Sequence, residues 1–510
     1  MKKIKIKSFF ISTLLLISCY STAEPYISPD NLALRANIQL LTEQGILKTM
    51  TTTYPMMWPE INRAMNEVDE ESLAGNNLSA YLYIKQQYKN ASKKRATLSI
   101  NGATKDNRFH SFGDSFRNKN NAQYSVSGVW DHVAVKFAPA VTTSTFNGDD
   151  QYSFDESYLA FRAGNWNLSI GMQDKWWGAG WDSNLGLTNN ARPMPAITLS
   201  RTEAIPFHLP FTEYQLPWTV TTFMAQMEEE RHIPNTLLWG FRATVMPFDN
   251  FEFSVSRLAQ WAGDGRPSDF DTFIDVLIGD DNCGQGNFEC GTESKAVEPG
   301  NQQAGIDMRY SFNISGKPVT LYGNYYGEDS GDAQNFFVSR AILQFGGDMS
   351  FHWFDQYQKV YFEYADTFQT CANTNNWQGP GPRPGDCFYD HYIYESGMRY
   401  EGRNISHIYD NDTTSLVAGL ISQDFNDTVL SAKVRFLELN NDNSDLFPND
   451  PNKGNSVSKI SEDVIMLSAD YQTRLAEFTY KVGGSVSQSS FIDLPSETDY
   501  NLFFQIKRDL

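Results

Sequence analysis

A two-residue rhythm of apolar and polar side chains runs from about residue 96 to the carboxyl end of the chain. Ala96, Leu98 and Ile100 alternate with polar partners, and residues 306–312 repeat the pattern. Successive side chains of a β-strand point to opposite faces, so this rhythm predicts strands with one apolar and one polar face. One such strand recurs every ~20–25 residues, as expected for a large antiparallel transmembrane barrel. The sequence therefore predicts an all-β transmembrane barrel over residues 96–510.

The last strand favours a membrane barrel over a soluble β-protein. Tyr500, Leu502 and Phe504 lie on one face of this strand, and the chain ends on an apolar residue, Leu510. A terminal alternating strand is typical of bacterial outer-membrane barrels, in which Phe is the usual last residue. The alternative is a secreted β-sandwich or propeller, because an aromatic content of 14% suits either a membrane girdle or a glycan-binding sandwich.

The amino terminus carries an export signal. Four lysines between residues 2 and 7 precede an apolar stretch, residues 9–17, which is too short to cross a bilayer as a helix. Small residues up to Ala23 suit cleavage before the next residue, so residues 1–23 are predicted to be a signal peptide. The alternative is a lipoprotein signal that leaves Cys19 lipidated.

Residues 24–95 have a helical period instead of the two-residue rhythm. Leu34 and Ile38 share one helix face, and further helical patterns follow over residues 58–65 and 78–94. A helical region of about 70 residues is marginal as an independent domain. We therefore expect this region to pack on the barrel.

Several classes of function find no support in the sequence. The formal net charge of −20 makes the chain a poor candidate for binding nucleic acids through bulk charge. The seven histidines are scattered without the spacing of a metal site. The sequence contains no G-x-S-x-G elbow and no phosphate-binding P-loop. We predict neither an enzyme nor a metal centre nor an organic cofactor.

Four cysteines follow the signal peptide. An even number of cysteines in an exported chain predicts two disulfides, for which three connectivities are open. The pairs Cys283–Cys290 and Cys371–Cys387 are favoured because each lies within one polar stretch. Metal binding is the alternative, but the spacing lacks the C-x2-C knuckle of zinc sites.

Three long connections rich in glycine, asparagine and aspartate interrupt the strands, at residues 262–303, 367–390 and 439–461. Outer-membrane barrels place long connections outside the cell and short turns in the periplasm, so we predict external loops. Acidic side chains in external loops are candidate Ca²⁺ ligands, although solvated loops are the alternative because the glycine of a calcium loop is missing. The candidate ligands are Asp410, Asp412, Asp442, Asp445 and Asp450.

Residues 175–195, KWWGAGWDSNLGLTNNARPMP, combine three tryptophans with nearby glycines. Glycine permits a close approach of the backbone that a side chain forbids, and tryptophan offers a sugar a flat face and an N–H donor. Two interpretations stay open: the rings pack in the lumen or in a membrane girdle, or they contact sugar directly. The candidate polysaccharide-binding residues are Trp176, Trp177, Trp181, Asn189, Asn190 and Arg192.

Charged residues further along the chain predict a network that lines the lumen, because buried charges in a barrel need partners. Recognition of an anionic sugar is the alternative. The predicted arginines are Arg201, Arg242 and Arg257, and their predicted partners are Glu228, Glu229 and Glu230.

Three stretches resemble those of one known family. They are PYISPDNLALRANIQLLTEQGIL, GNWNLSIGMQDKWWGAGWDSNLGLTNNARPMPAITLSR and LPWTVTTFMAQMEEERHIPNTLLWGFRATVMPF. On these stretches the chain resembles the Wzi capsule-assembly family, strongly over residues 25–260 and more weakly beyond them.

The resemblance implies a monomeric outer-membrane barrel of about 18 strands with a helical bundle, residues 24–95, at its periplasmic end. It also implies a lectin that sits in outer-membrane lipid, helps to hold capsular or exopolysaccharide on the cell surface and catalyses no reaction. A diffusion porin is the alternative, because a lumen of this size is wide enough to conduct.

Overall fold

The computed structural model covers most of the chain. The described residues are 24–143, 151–208, 212–278, 300–328, 341–354, 356–369, 388–425 and 427–510. No helix within these ranges is long and apolar enough to cross a membrane. The predicted signal peptide, Cys19 and the four cysteines of the predicted disulfides, Cys283, Cys290, Cys371 and Cys387, lie outside the described residues.

Eighteen antiparallel strands of the described chain close into one barrel, and two of them are each interrupted once. The strands are β1 (Arg95–Ala103), β2 (Asn120–Val129), β3 (Val133–Phe137 and Ala140–Thr142), β4 (Tyr152–Ser153 and Tyr158–Ala163), β5 (Trp166–Met172), β6 (Pro195–Arg201), β7 (Trp218–Gln226), β8 (Leu237–Phe248), β9 (Phe251–Trp261), β10 (Gly300–Ile314), β11 (Lys317–Glu328), β12 (Ala341–Trp353), β13 (Gln356–Asp366), β14 (Thr413–Gln423), β15 (Val429–Leu439), β16 (Glu462–Leu475), β17 (Phe478–Phe491) and β18 (Glu497–Asp509). The barrel closes where β18 pairs with β1, with Ile506 opposite Ile100. The predicted all-β barrel of about 18 strands is confirmed.

The barrel is polar inside and apolar outside. Along β5, Asn167 and Ser169 face the lumen and are buried, whereas Leu168 and Ile170 face outward and are exposed. An apolar outer band is unfavourable in water, but in a bilayer it faces acyl chains. The two-residue period therefore lets one strand face both surroundings.

The two ends of the barrel differ in their connections. At one end tight turns join the strands, as at residues 249–250 and 315–316, where Asn250 and Ser315 adopt positive φ angles. At the other end the connections are long and fold back over or into the barrel. In outer-membrane barrels the tight turns are periplasmic. Among the described residues, the long connections are then external, at 104–119, 173–194, 227–236, 262–278, 367–369, 388–412 and 440–461.

Three helices precede the barrel, α1 (Leu32–Glu43), α2 (Trp58–Asn66) and α3 (Gly75–Ala91), with a 3-10 turn at Glu70–Ser72. The Asn31 side chain caps α1 by accepting a hydrogen bond from the Leu34 amide at 2.9 Å. At the periplasmic end, Tyr83 of α3 donates a hydrogen bond to Asp427 in the turn after β14 at 2.7 Å. In contrast, α1 is almost wholly buried and lies within the barrel.

Shorter elements complete the described chain. A fourth helix, α4 (Phe270–Ile278), lies outside the barrel wall. Two-residue strands form four small antiparallel pairs: Tyr26–Ile27 with Met56–Met57, Thr53–Tyr54 with Trp176–Trp177, Phe207–His208 with Gln215–Leu216, and Arg399–Tyr400 with Arg403–Asn404.

Candidate functional site

The three tryptophans of the aromatic-glycine segment lie inside the barrel. Trp176, Trp177 and Trp181 are 0%, 1% and 2% exposed. Trp176–Trp177 pairs with Thr53–Tyr54, which enters from the periplasmic side between α1 and α2. The rings therefore belong to the packing of the lumen, and they do not offer a sugar an open face.

The glycines of this segment allow its tight turn. A Cβ atom on Gly178 would overlap the side chain of Asn184, and one on Gly180 would overlap the carbonyl oxygen of Ser183. Gly178 also adopts a φ of +133°, which side chains disfavour. The Gly180 amide donates a hydrogen bond to Asn184 Oδ1 at 2.9 Å, which closes the turn.

Arg35 of α1 joins the helix to this turn. Its guanidinium lies 4.0 Å from the centroid of the Trp181 ring and 4.4 Å from that of Phe112. It donates hydrogen bonds to the carbonyl oxygens of Ala179 and Gly180 at 2.7 and 2.8 Å. A buried cation between aromatic faces is a favourable arrangement. One face of the Trp181 ring is thus occupied by Arg35, and the ring also stacks on Tyr361 of the wall.

Asp182 fastens the same turn to the opposite wall. Its carboxylate accepts a hydrogen bond from Arg435 of β15 at 2.7 Å and lies 3.4 Å from the ammonium of Lys433. Burial alone would raise the pKa of Asp182, but these two cations hold that pKa below its usual range. The turn is therefore held by charge-assisted bonds that favour the ionised carboxylate.

A ladder of buried ion pairs holds α1 in the lumen. Glu43 at the end of α1 pairs with Lys359 of β13 at 2.7 Å and with Arg309 of β10 at 3.0 Å. Lys359 also pairs with Asp348 of β12 at 2.7 Å. Such charges are stable in a low-dielectric interior only when they are paired, so the helix and the wall depend on each other. The sequence predictions do not include these four residues, although strand parity places Arg309, Asp348 and Lys359 on the polar face.

The predicted lumen network is only partly formed. Arg242 of β8 lies in the lumen and makes a two-pronged pair with Asp307 of β10, at 2.6 and 2.8 Å. Arg201 instead lies over the Trp218 ring at 3.7 Å, and Arg257 binds the carboxyl end of α4 outside the barrel. Both fall on the outward-facing parity of their strands, which the sequence analysis did not consider.

The predicted glutamate partners lie elsewhere. Glu228, Glu229 and Glu230 are in the external connection between β7 and β8. Glu228 lies 3.3 Å from Arg231 of the same connection, and the other two are exposed. The pairing of Arg201, Arg242 and Arg257 with these glutamates is therefore not formed, because strand geometry separates the two groups.

The remaining predicted sugar-binding residues also take part in internal contacts. Asn189 accepts a hydrogen bond on its carbonyl oxygen from Arg117 at 2.7 Å, and the Asn190 side chain donates one to the carbonyl oxygen of Asn404 at 3.0 Å. Arg192 pairs with Asp155 at 3.0 Å. These contacts tie the 173–194 connection to neighbouring connections, so the lumen is filled from the external end as well as by α1.

The acidic residues proposed as Ca²⁺ ligands have protein partners. Asp410 pairs with Arg399 at 2.6 Å and accepts hydrogen bonds from Ser456. Asp445 accepts bonds from two backbone amides, and Asp442 caps the Ser444 amide. Burial, reinforced by nearby Asp442, raises the pKa of Asp412 to about 8. Asp450 caps the Asn452 amide.

Within the described ranges, no cluster of three or more His, Cys, Asp or Glu side chains is arranged to hold a metal ion. Ca²⁺ binding in the external loops stays a prediction.

A mixed aromatic and polar surface lies on the external connections, and we name it the Tyr392 surface. Tyr392 is 50% exposed. Three connections, residues 227–236, 388–412 and 440–461, contribute to it. Glu395 at its centre lies 2.5 Å from the ammonium of Lys453 and 3.4 Å from Nε2 of His232. Lys453 in turn lies 5.2 Å from the centroid of Phe447. The surface consists of His232, Tyr392, Glu395, Phe447 and Lys453.

The geometry defines a transmembrane β-barrel with a filled lumen and a structured external face. Residues 89–502 match the family described as capsule assembly protein Wzi. The chain belongs to this family and is an outer-membrane protein, as the sequence predicted.

Two relatives illustrate the likeness. A curated protein from Klebsiella pneumoniae, described as an uncharacterized 55.8 kDa protein in the cps region, is 27% identical over 341 residues. That match covers 66% of this chain and 64% of the relative, which is less than two thirds of the relative's length.

The second is a solved structure with a TM-score of 0.76 and 20% identity, covering 94% of this chain and 98% of that one. It shows Wzi, described as a carbohydrate-binding β-barrel and an outer-membrane protein involved in group 1 capsule assembly in Escherichia coli.

Proposed function

We propose that this barrel binds capsular or exopolysaccharide at the cell surface and helps to hold it there. The observation that carries the proposal is membership of the capsule assembly protein Wzi family over most of the chain. The solved relative from Escherichia coli, which is described as carbohydrate binding, supports the same ligand class. A filled lumen is also consistent with a protein that holds a polymer outside instead of conducting it.

The Tyr392 surface is the part of the described external face that best suits a sugar. Tyr392 offers an exposed aromatic ring to the apolar face of a pyranose. Glu395, three residues further along the same connection, and its partner Lys453 offer hydrogen-bonding groups. Five of the six residues predicted from the sequence are buried, and the sixth, Arg192, is half-buried and pairs with Asp155. We therefore place the polysaccharide contact on the Tyr392 surface.

Binding at this surface is expected to be weak for each sugar and strong for the polymer. A chain with a net charge of −20 repels an acidic polysaccharide at long range. Local cations such as Lys453 offset this repulsion only at short distance. Repeated contacts along one polymer raise the apparent affinity through effective concentration. Polymer binding should then strengthen with added salt or divalent cations if the polymer is acidic.

Deletion of the gene tests the function, and point variants test the surface. Deletion should release polysaccharide into the medium while total synthesis is unchanged. Complementation with Tyr392→Ala should leave polymer in the medium, whereas Phe354→Ala, which removes an exposed aromatic ring at the periplasmic end, should restore retention. Unchanged cell-associated polysaccharide in the deletion strain would contradict the function. Full retention with Tyr392→Ala would contradict only the placement.

A diffusion porin requires an open path, but α1 and the aromatic-glycine segment occupy part of the described lumen. A polar cavity of about 370 Å³ remains beside β1–β4, lined by opposite charges such as Lys136 and Glu156. Planar-bilayer recording of the purified barrel should show no steady conductance of nanosiemens size. Such a conductance would revive the porin alternative.

A further inference from the structure

Helix α4 packs against the outside of the barrel wall. Val276 is fully buried there, and the Phe273 ring lies 4.9 Å from the Trp261 ring and 6.1 Å from the Trp239 ring. These wall residues belong to the outward, lipid-facing side of β8 and β9. The helix therefore covers part of the surface that a bilayer would otherwise contact.

Polar contacts fix the carboxyl end of α4 to the same wall. Arg257 donates hydrogen bonds to the carbonyl oxygens of Val276 and Leu277, both at 2.7 Å, and Gln302 donates one to that of Val276 at 3.1 Å. The last carbonyls of a helix have no intrahelical partner, so these donors satisfy groups that would be costly to leave unpaired near hydrocarbon. The presence of Arg257 on an outward-facing strand position is thereby explained.

The side of the helix that faces away from the wall has an apolar edge and an acidic edge. Phe270, Ile274 and Ile278 are 73%, 36% and 70% exposed and lie at i, i+4 and i+8. At about 100° per residue they form one apolar edge, and Asp271 and Asp275 fall on the adjacent edge. A helix resting on a barrel with one apolar and one acidic edge suits a boundary between hydrocarbon and water.

The height of α4 agrees with such a boundary. Phe248 lies at the periplasmic end of β8, in a cluster of aromatic rings. Trp239 lies nine residues earlier on the same strand. With a rise of ~3.3 Å and a tilt of ~40°, this separation is about 23 Å along the barrel axis, close to the ~25 Å apolar band of outer-membrane barrels. Trp239, and with it α4, thus lies at the external edge of the band.

We propose that α4 is an interfacial helix whose Phe270–Ile274–Ile278 edge inserts among the acyl chains of the outer leaflet. The occupant is lipid because the edge lies on a helix that packs, through Phe273, against Trp239 and Trp261 of the outer wall, at the external edge of the apolar band. Asp271 and Asp275 then face the headgroups and water. The proposal rests on the outer-membrane location and is independent of polysaccharide binding.

Photocrosslinking in intact cells tests the proposal. A photoreactive p-benzoylphenylalanine replaces Ile274 in the full chain, and matched sites at Leu467 on the outward face of β16 and at Leu446 in an external connection serve as lipid-facing and water-facing controls. All three side chains are exposed, so the replacements should leave folding intact, which heat-modifiable gel mobility verifies. The products are resolved by gel mobility and by probing for lipopolysaccharide.

The expected result is a lipid adduct at Ile274 in a yield comparable to that at Leu467, with none at Leu446. A fourth replacement, at Asp275, should give a clearly smaller yield than that at Ile274. A crosslink from Ile274 to a second copy or to another protein would overturn the proposal. So would the absence of a lipid adduct at Ile274 when Leu467 gives one.

Discussion

Trp181 in the lumen and Tyr392 on the external face are both large aromatic residues in polar surroundings, but their accessibility is opposite. Trp181 is 2% exposed and contacts Arg35 and Tyr361, whereas Tyr392 is 50% exposed. The comparison teaches that aromatic residues beside glycine and asparagine do not by themselves mark a sugar site. In this barrel the more conspicuous motif packs inside the lumen, and the exposed ring lies on a less conspicuous external loop.

The largest expected effect comes from removing the buried ring. Trp181→Ala leaves a cavity beside Arg35 and Tyr361 and should lower the free energy of unfolding by about 3–5 kcal/mol. Urea unfolding of the barrel refolded into lipid vesicles measures this. Trp353→Ala, at an exposed ring near the periplasmic end, is the control and should cost much less. Equal losses for the two variants would remove the distinction between lumen and surface.

Removing a buried charge should lower the free energy of unfolding nearly as much. Lys359→Met leaves Asp348 without its ammonium partner, although Arg309 still pairs with Glu43, so a loss of about 3 kcal/mol is expected. The exposed pair of Lys105 with Asp499 offers the matched control, and Lys105→Met should cost under ~1 kcal/mol. Unfolding at low and high salt separates them further, since only the exposed pair is screened. A salt-sensitive loss with Lys359→Met would contradict its burial.

A smaller effect is expected at the turn of the aromatic-glycine segment. Gly180→Ala forces the Ser183 carbonyl to move and should destabilise the 173–194 connection, which we call the plug, by about 2 kcal/mol. Gly323→Ala is the control, because a Cβ there meets its nearest neighbour at an ordinary 3.4 Å. Limited proteolysis of intact cells should detect a loosened plug only in the first variant. Similar cleavage of the two variants would argue against a steric role for Gly180.

The smallest effect on stability should occur at the external surface. Tyr392→Ala should change the free energy of unfolding by no more than about 0.5 kcal/mol. The same variant should nevertheless reduce the polymer bound by the purified barrel in a co-sedimentation assay. Loss of binding together with a large loss of stability would mean that Tyr392 acts through the fold.

The strands and the family were predictable from the sequence because they depend on local features. Apolar and polar side chains alternate in consecutive residues along β5 and β18, and a membrane requires this alternation on every strand. The helical period at Leu34 and Ile38 and the helical pattern that begins at residue 58 are likewise local. Signals of this kind do not require knowledge of distant contacts.

The interior of the barrel was predicted only in part. The sequence predicts Arg242 in a lumen network but not its partner Asp307, which lies 65 positions further along the chain. Arg257 was placed in the same network although it stands on the outward parity of β9. Strand parity would have separated the two arginines, but it would not have identified Glu43 of α1 as the partner of Lys359.

The amino-acid sequence is enough to predict a membrane barrel of the capsule assembly protein Wzi family, because the alternation of side chains and the motif residues are local properties. The burial of the tryptophans in the lumen, the entry of α1 and the exposure of Tyr392 become visible in the folded barrel. Those outcomes depend on which distant charges and rings meet across the barrel, and that choice is made by packing in three dimensions.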